Sequence, residues 1–157
     1  MALPHTKARF LPPARSAAAA SPSCVRYNGG MGSTALLLIA HGSRHAEANE
    51  DLRQLAAELR QQGHPIVEAA YLELAEPTIE QGGAACIEQG AGRVVLVPYF
   101  LSAGVHVRRD LTEARRRLVE RYPQIEFRLA EPLGLHPLLL DVVIERVRQA
   151  LEGDAPS

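Results

Sequence analysis

Four short apolar runs, each followed by an amphipathic stretch, constrain this chain more than any other feature of it. The first, Ala35 to Ala40 (ALLLIA), is apolar without interruption, as expected of a strand buried on both faces. It stops at His41-Gly42-Ser43. From about His45 to Gln62, Leu52, Leu55, Ala56 and Leu59 recur at helical spacing, and Gly63 ends the segment. Ile66 to Leu72 reads as a second strand. Pro77 suits the first turn of a helix that runs to about Gln89, which Gly82-Gly83 weakens. Arg93 to Val97 is a third strand, followed by a loop from Pro98 to His106. Val107, Leu111, Ala114 and Leu118 then mark one helical face. Ile125 to Ala130 is a shorter, more polar strand nearer an edge. A last helix runs from about Pro137 to Glu152, with Leu139, Val142, Val143, Val147 and Ala150 inward. Strands alternating with helices predict an α/β fold, a three-layer α/β/α sandwich on a mostly parallel four-stranded sheet.

The first thirty of the 157 residues do not share this pattern. They hold no acidic residue, four basic ones (Lys7, Arg9, Arg15, Arg26) and the run Ala17 to Ala20. They lack the apolar core of a secretory signal, and their Arg/Ser/Ala content resembles an organellar transit peptide. The plainer expectation is a disordered tail or a start codon upstream of the real one at Met31, with a single domain over 31–153. The 127 residues from Met31 onward hold all 18 acidic side chains and 13 of the 17 basic ones, a net charge of −5. That disfavours nucleic acid as a partner. No stretch approaches the roughly 18 apolar residues needed to cross a bilayer, so no membrane partner is expected. Cys24 and Cys86 build neither a disulfide framework nor a zinc motif, and Cys86 is expected to pack as a small hydrophobe.

In parallel sheets, ligands sit beyond the carboxyl ends of the strands. The polar residues at those ends are His41-Gly42-Ser43-Arg44 after the first strand and Glu73 after the second. Pro98 to His106 follows the third, and Glu131-Pro132-Leu133-Gly134 with His136 follows the fourth. His41, Glu73 and His106 therefore converge on one rim from three strands. Two imidazoles and a carboxylate suit a borderline divalent metal, and equally acid/base work near neutral pH. Singly, each is more often a surface histidine or a helix-start carboxylate; the convergence carries the argument. His45 is expected to be exposed, His64 to be structural and His136 to cap a helix. Arg108, Arg109, Arg115, Arg116, Arg117 and Arg121 are expected to form a solvated face paired with Glu113 and Glu120. Arg108 and Arg109 lie nearest the loop, where the guanidinium fork suits an anionic ligand.

The strings Leu38-Ile-Ala-His-Gly-Ser-Arg44, Tyr71-Leu-Glu-Leu-Ala-Glu-Pro77, Val97-Pro-Tyr-Phe-Leu-Ser-Ala-Gly-Val-His106 and Glu131-Pro-Leu-Gly-Leu-His-Pro137 together resemble the small sirohydrochlorin chelatases. These are the cobaltochelatases and ferrochelatases of the class II chelatase superfamily. The resemblance covers about residues 34–151. It implies insertion of a divalent metal (Co²⁺, Fe²⁺ or Ni²⁺, with cobalt favoured) into sirohydrochlorin, a tetrapyrrole with eight carboxylates. It also implies that His41, Glu73 and His106 bind metal and handle protons, and that two copies pair to form the cleft. The metal is then a substrate, and no permanent cofactor is expected. Ser43, Arg44, Ser102, Ala103, Gly104 and Arg108 are the expected substrate-binding residues, with Leu101, Val105 and Leu133 as apolar walls. The expected compartment is the cytoplasm, or a plastid if residues 1–30 are a transit segment. Cys24 and Cys86 do not support the iron–sulfur cluster of some plastid members.

Other readings fit less well. A phosphohistidine phosphatase needs arginine before the histidine, where Ala40 stands. No Gly-x-Ser-x-Gly string supports an α/β-hydrolase. A non-catalytic metal carrier or sensor using the same three residues differs from a chelatase in not needing the ring.

Overall fold

The computed structural model describes residues 32–153, so the expectations for residues 1–30, Cys24 among them, lie outside the described residues. The elements follow one another as β1 (Ser33–Ala40), α1 (Ala46–Gln61), β2 (Ile66–Tyr71), α2 (Ile79–Glu88), β3 (Ala91–Pro98), α3 (Val105–Arg121), β4 (Glu126–Leu129) and α4 (Pro137–Gly153). The sheet order is β2-β1-β3-β4 and every pairing is parallel. The chain moves from β1 outward to β2, then crosses to the other side of β1. The carboxyl ends of β1 and β3 therefore flank the topological switch point, where such sheets bind ligands.

The uninterrupted apolar run of β1 has a simple cause. On one face Ala35, Leu37 and Ile39 meet Val94, Leu96 and Phe127, together with Ile79 and Cys86 of α2 and Leu111, Ala114 and Leu118 of α3. On the other face Leu38 joins Val67, Ala69 and Tyr71 of β2 under Leu52 and Ala56 of α1. Gly82-Gly83 costs helix propensity but permits close packing. A Cβ at Gly82 would stand 2.6 Å from a methyl of Leu37, and one at Gly83 would stand 2.7 Å from a methyl of Leu118. α2 begins later than Pro77 suggests. Thr78 is the N-cap, its hydroxyl accepting from the Gln81 amide while the Gln81 side chain accepts from the Thr78 amide.

Cys86 is fully buried, and loss of solvation pushes its thiol up to about 12, with Glu68 adding to the rise and Arg60 opposing it. In a Cys24→Ser background, the native protein is expected to leave a disulfide reagent unreacted at pH 8 and to react only on unfolding. Rapid native labelling would contradict the packing described for α2.

The last helix departs from expectation. Of its residues expected inward, Leu139 is half-buried, while Val142, Val143, Val147 and Ala150 are exposed. Periodicity identifies an apolar face but not the surface that receives it. Here no element among the described residues covers the stripe.

Candidate active site

The strand ladder does not stop with the strands. The Leu72 amide donates to the Ala40 carbonyl at 2.9 Å and the Glu73 amide to the His41 carbonyl at 3.1 Å. Those two bonds carry the β1–β2 register one step beyond the sheet and set His41 beside Glu73. Their side chains meet, Nε2 to Oε1, at 3.0 Å. Gly42 makes the approach possible. Its φ is +93°, and a Cβ there would lie 2.0 Å from the Glu73 carbonyl oxygen.

The turn after Gly42 is clamped from below. Asn49, 5% exposed and the one buried polar residue among the described residues, accepts from the Ser43 amide at 2.9 Å and donates to the Ser43 carbonyl at 2.8 Å. The Tyr71 hydroxyl in turn donates to the Asn49 carbonyl at 2.9 Å. Burial pushes the Tyr71 phenol above its ordinary range, against the pull of the Arg53 cation, so the hydroxyl remains a donor. Neither residue carries a sequence signal for this role, since an asparagine inside a polar helical stretch reads as surface. Asn49→Ala is expected to cost about 1–3 kcal/mol by orphaning the two Ser43 groups. A melting curve unchanged from wild type would contradict the clamp.

His41 and Glu73 are each more than half exposed, at 54% and 56% of the side chain. Their contact therefore adds little to stability and acts chiefly by orienting the imidazole. In a neutral ring, an Nε2–H donated to the carboxylate leaves Nδ1 as the nitrogen with a lone pair.

His106 is placed differently from expectation. It is the second residue of α3, not the last residue of the loop, because Gly104 caps the helix without a side-chain bond and Val105 starts it. It is exposed at the carboxyl edge. Among the described residues, no three His, Cys, Asp or Glu side chains lie close enough to hold a metal ion. The single chain thus brings together His41 and Glu73 and leaves His106 apart from them.

The expected substrate-binding residues also divide. Arg44 is exposed and, among the described residues, has no ion-pair partner. Ser43 is half-buried and its hydroxyl accepts from the His45 amide at 3.1 Å. Ser102 and Gly104 are exposed and Ala103 half-buried. Arg108 donates to the Ala103 carbonyl at 3.2 Å and reaches Glu131 at 3.4 Å, so it fastens the loop after β3 to the segment after β4. Arg109 leans on Asp110. Further along α3, Arg116 pairs with Glu113 and Glu120, Arg117 pairs with Glu80 and Glu113, and Arg115 donates to the Phe127 carbonyl. Arg116 makes the pairs expected of this face, whereas Arg117 also ties α3 to α2 and Arg115 ties it to the β4 backbone. His136 accepts from the Leu138 amide at 3.3 Å, as a cap should. Leu101, Val105 and Leu133 are exposed, as are Leu74 and Tyr99 on the same edge. Leu74 also has a φ of 63°, a strained conformation for a γ-branched residue directly after Glu73.

Comparison with known proteins follows the same lines. The CbiX family model matches residues 35–150. The chain is 40% identical over 116 residues to the sirohydrochlorin ferrochelatase of Priestia megaterium, which covers 73% of this chain and 44% of that one. It is 33% identical over 122 residues to the sirohydrochlorin cobaltochelatase of Sulfolobus acidocaldarius, covering 78% of this chain and 96% of that one. The sirohydrochlorin chelatase SirB of Bacillus subtilis subspecies spizizenii, solved in complex with cobalt, superposes with a TM-score of 0.69 at 32% identity, covering 74% of this chain and 50% of that chain. The chain thus spans about half the length of some relatives and nearly all of another.

Proposed function

The chain belongs to the CbiX family, and from that premise we propose that it is a sirohydrochlorin chelatase, inserting a divalent metal into sirohydrochlorin for cobalamin or siroheme biosynthesis. The observation that carries this reading is the His41–Glu73 pair, held at 3.0 Å on an open rim beyond β1 and β2.

Insertion of M²⁺ displaces two pyrrole N–H protons, so it needs a base and a loosely held metal. Imidazole is the side chain that accepts protons near neutral pH. A single His–carboxylate pair leaves most coordination positions of the incoming metal open, as transfer to four ring nitrogens demands. His106, on the first turn of α3, is assigned to the same step as a second base or metal donor. Arg44, Ser43, Ser102 and the backbone amides of Ala103 and Gly104 are assigned to the ring carboxylates. The free amides at the start of α3 favour anions there as well. Arg108 is assigned to the same group, with Glu131 as the partner it would exchange for a substrate carboxylate.

One rim covers one side of a macrocycle. The second wall is assigned to a second copy, so the active species is a homodimer. Cobalt is placed first and iron second, because the chain matches the Sulfolobus cobaltochelatase along nearly its whole length. The higher identity to a ferrochelatase keeps iron in contention. The reaction is assigned to the cytoplasm, with a plastid the alternative if residues 1–30 are a transit segment. A metal carrier is disfavoured, since two half-exposed donors grip an ion weakly.

The test that separates the two is binding of metal-free sirohydrochlorin, followed by its fluorescence. A chelatase is expected to bind the ring at micromolar concentration, and more weakly in Arg44→Ala. Metal binding without any ring binding would favour the carrier.

A further inference from the structure

We propose that Leu74 is a substrate-contact residue, its side chain held out at the carboxyl edge to pack against the apolar skeleton of the ring beside the His41–Glu73 pair. This rests on the reading of the rim as a sirohydrochlorin site, and it adds to that site a residue that its polar groups do not point to.

Leu74 is strained, and its burial does not offset the strain. Its φ is 63°, a left-handed backbone conformation in which a Cβ crowds the carbonyl that follows it. Glycine holds that conformation at no steric cost. A leucine there calls for compensation from packing, yet the residue is 51% exposed. Strain of this kind persists only where the surroundings enforce it, and it collects at ligand sites.

The surroundings do enforce it. Before the turn, the Leu72 amide is bound to the Ala40 carbonyl and the Glu73 amide to the His41 carbonyl. After it, the Pro77 carbonyl accepts from the Tyr71 amide at 2.9 Å, and Tyr71 and Thr78 form a parallel bridge. The flanking side chains are anchored as well. Leu72 packs against the cluster that α2 and α3 cover, and Ala75 against the one that α1 covers. Between them the chain crosses the end of β2 from one face of the sheet to the other. Leu74 lies on that crossing and belongs to neither cluster.

Position sets the chemistry of what it meets. Glu73 and Leu74 are adjacent, about 3.8 Å apart at Cα. In the proposed reaction the His41–Glu73 pair addresses the ring nitrogens, at the centre of the macrocycle, whereas the carboxylates of sirohydrochlorin lie on its periphery. A side chain beside the pair therefore meets the apolar pyrrole skeleton, which an aliphatic group suits and a charged one does not. The edge continues apolar on the far side of β1. There the Tyr99 amide donates to the Ile39 carbonyl at 2.7 Å, which sets the β3 exit beside the β1 exit, and Tyr99 and Leu101 are exposed. The β1 exit, with His41, thus lies between two apolar flanks.

The experiment titrates metal-free sirohydrochlorin into the full 157-residue chain, followed by ring fluorescence, with steady-state insertion rates, thermal melts and sedimentation of the same proteins. Leu74→Gly removes the side chain and accepts the backbone conformation; Leu74→Met keeps the apolar bulk. Leu74→Gly is expected to melt no lower than wild type, to bind the ring about 10-fold more weakly, and to raise KM by as much with kcat within about threefold. The weakening is expected to be the same at low and at high salt, unlike that of Arg44→Ala, because an apolar contact is not screened. Leu74→Met is expected to stay within about threefold of the wild-type affinity. A Leu74→Gly protein with wild-type ring affinity would overturn the assignment and leave the chelatase reading standing. A melting temperature well below wild type would place the leucine in the chain's own packing, and a lowered sedimentation coefficient would place it between copies; either overturns the assignment too. A wild-type chain that binds no ring would overturn both the assignment and the reading it rests on.

Discussion

His41→Ala is expected to slow metal insertion by about 100-fold or more while leaving the melting temperature within about 1–2 °C of wild type. The separation follows from where the residue stands. The His41 side chain is more than half exposed and, among the described residues, its only ion-pair contact is the 3.0 Å pair with Glu73, so removing it orphans no buried group there. Under the proposed function the reaction would lose both a proton acceptor and one metal donor. Glu73→Gln discriminates further: it keeps an oxygen to receive the imidazole N–H but removes the charge. Insertion is expected to fall in that variant too, by less than in His41→Ala. Paired steady-state rates and thermal melts check both. A His41→Ala protein that turns over at the wild-type rate would remove His41 from the mechanism.

Gly42→Ala is expected to damage stability and activity together. The residue sits at a φ of +93°, where an L side chain costs roughly 1–2 kcal/mol. The new methyl would also meet backbone, at 2.0 Å from the Glu73 carbonyl oxygen and 3.2 Å from its carbon. A clash with backbone cannot be relieved by a rotamer change, so the β1 and β2 exits must separate. A loss of about 3 kcal/mol is expected, seen as a melting temperature lower by on the order of 10 °C. The movement would part His41 from Glu73, and insertion is expected to fall as far as in His41→Ala. A Gly42→Ala protein with the stability of wild type would show that the two loops do not approach as described.

Much of this was legible in the residues. β1 announces itself because a central parallel strand must be apolar on both faces, and Ala35 to Ala40 meets that demand. The convergence of His41 and Glu73 follows from the sheet order, since both end neighbouring strands. The start of α2 could have been read better: Thr78-Ile-Glu-Gln81 is a capping box, and its two reciprocal bonds place the helix two residues beyond Pro77. His106 was harder. Gly104 caps α3 without a side chain, so nothing in the composition separates the loop from the first helical turn. Asn49 was out of reach, because its role depends on Tyr71 arriving from β2 to enclose it. The orientation of α4 was out of reach as well. Its stripe has the periodicity of any packed helix, and only the fold shows that no surface among the described residues receives it.

The most direct measurement of the central claim is an anaerobic absorbance time course of the chain with sirohydrochlorin and Co²⁺, Fe²⁺ or Ni²⁺ supplied separately. A spectral shift to the metallated ring is expected to run faster than in the protein-free control, fastest with cobalt, and to be lost in His41→Ala. Progress indistinguishable from the protein-free control with all three metals, by a chain that is folded and binds the ring, would contradict it.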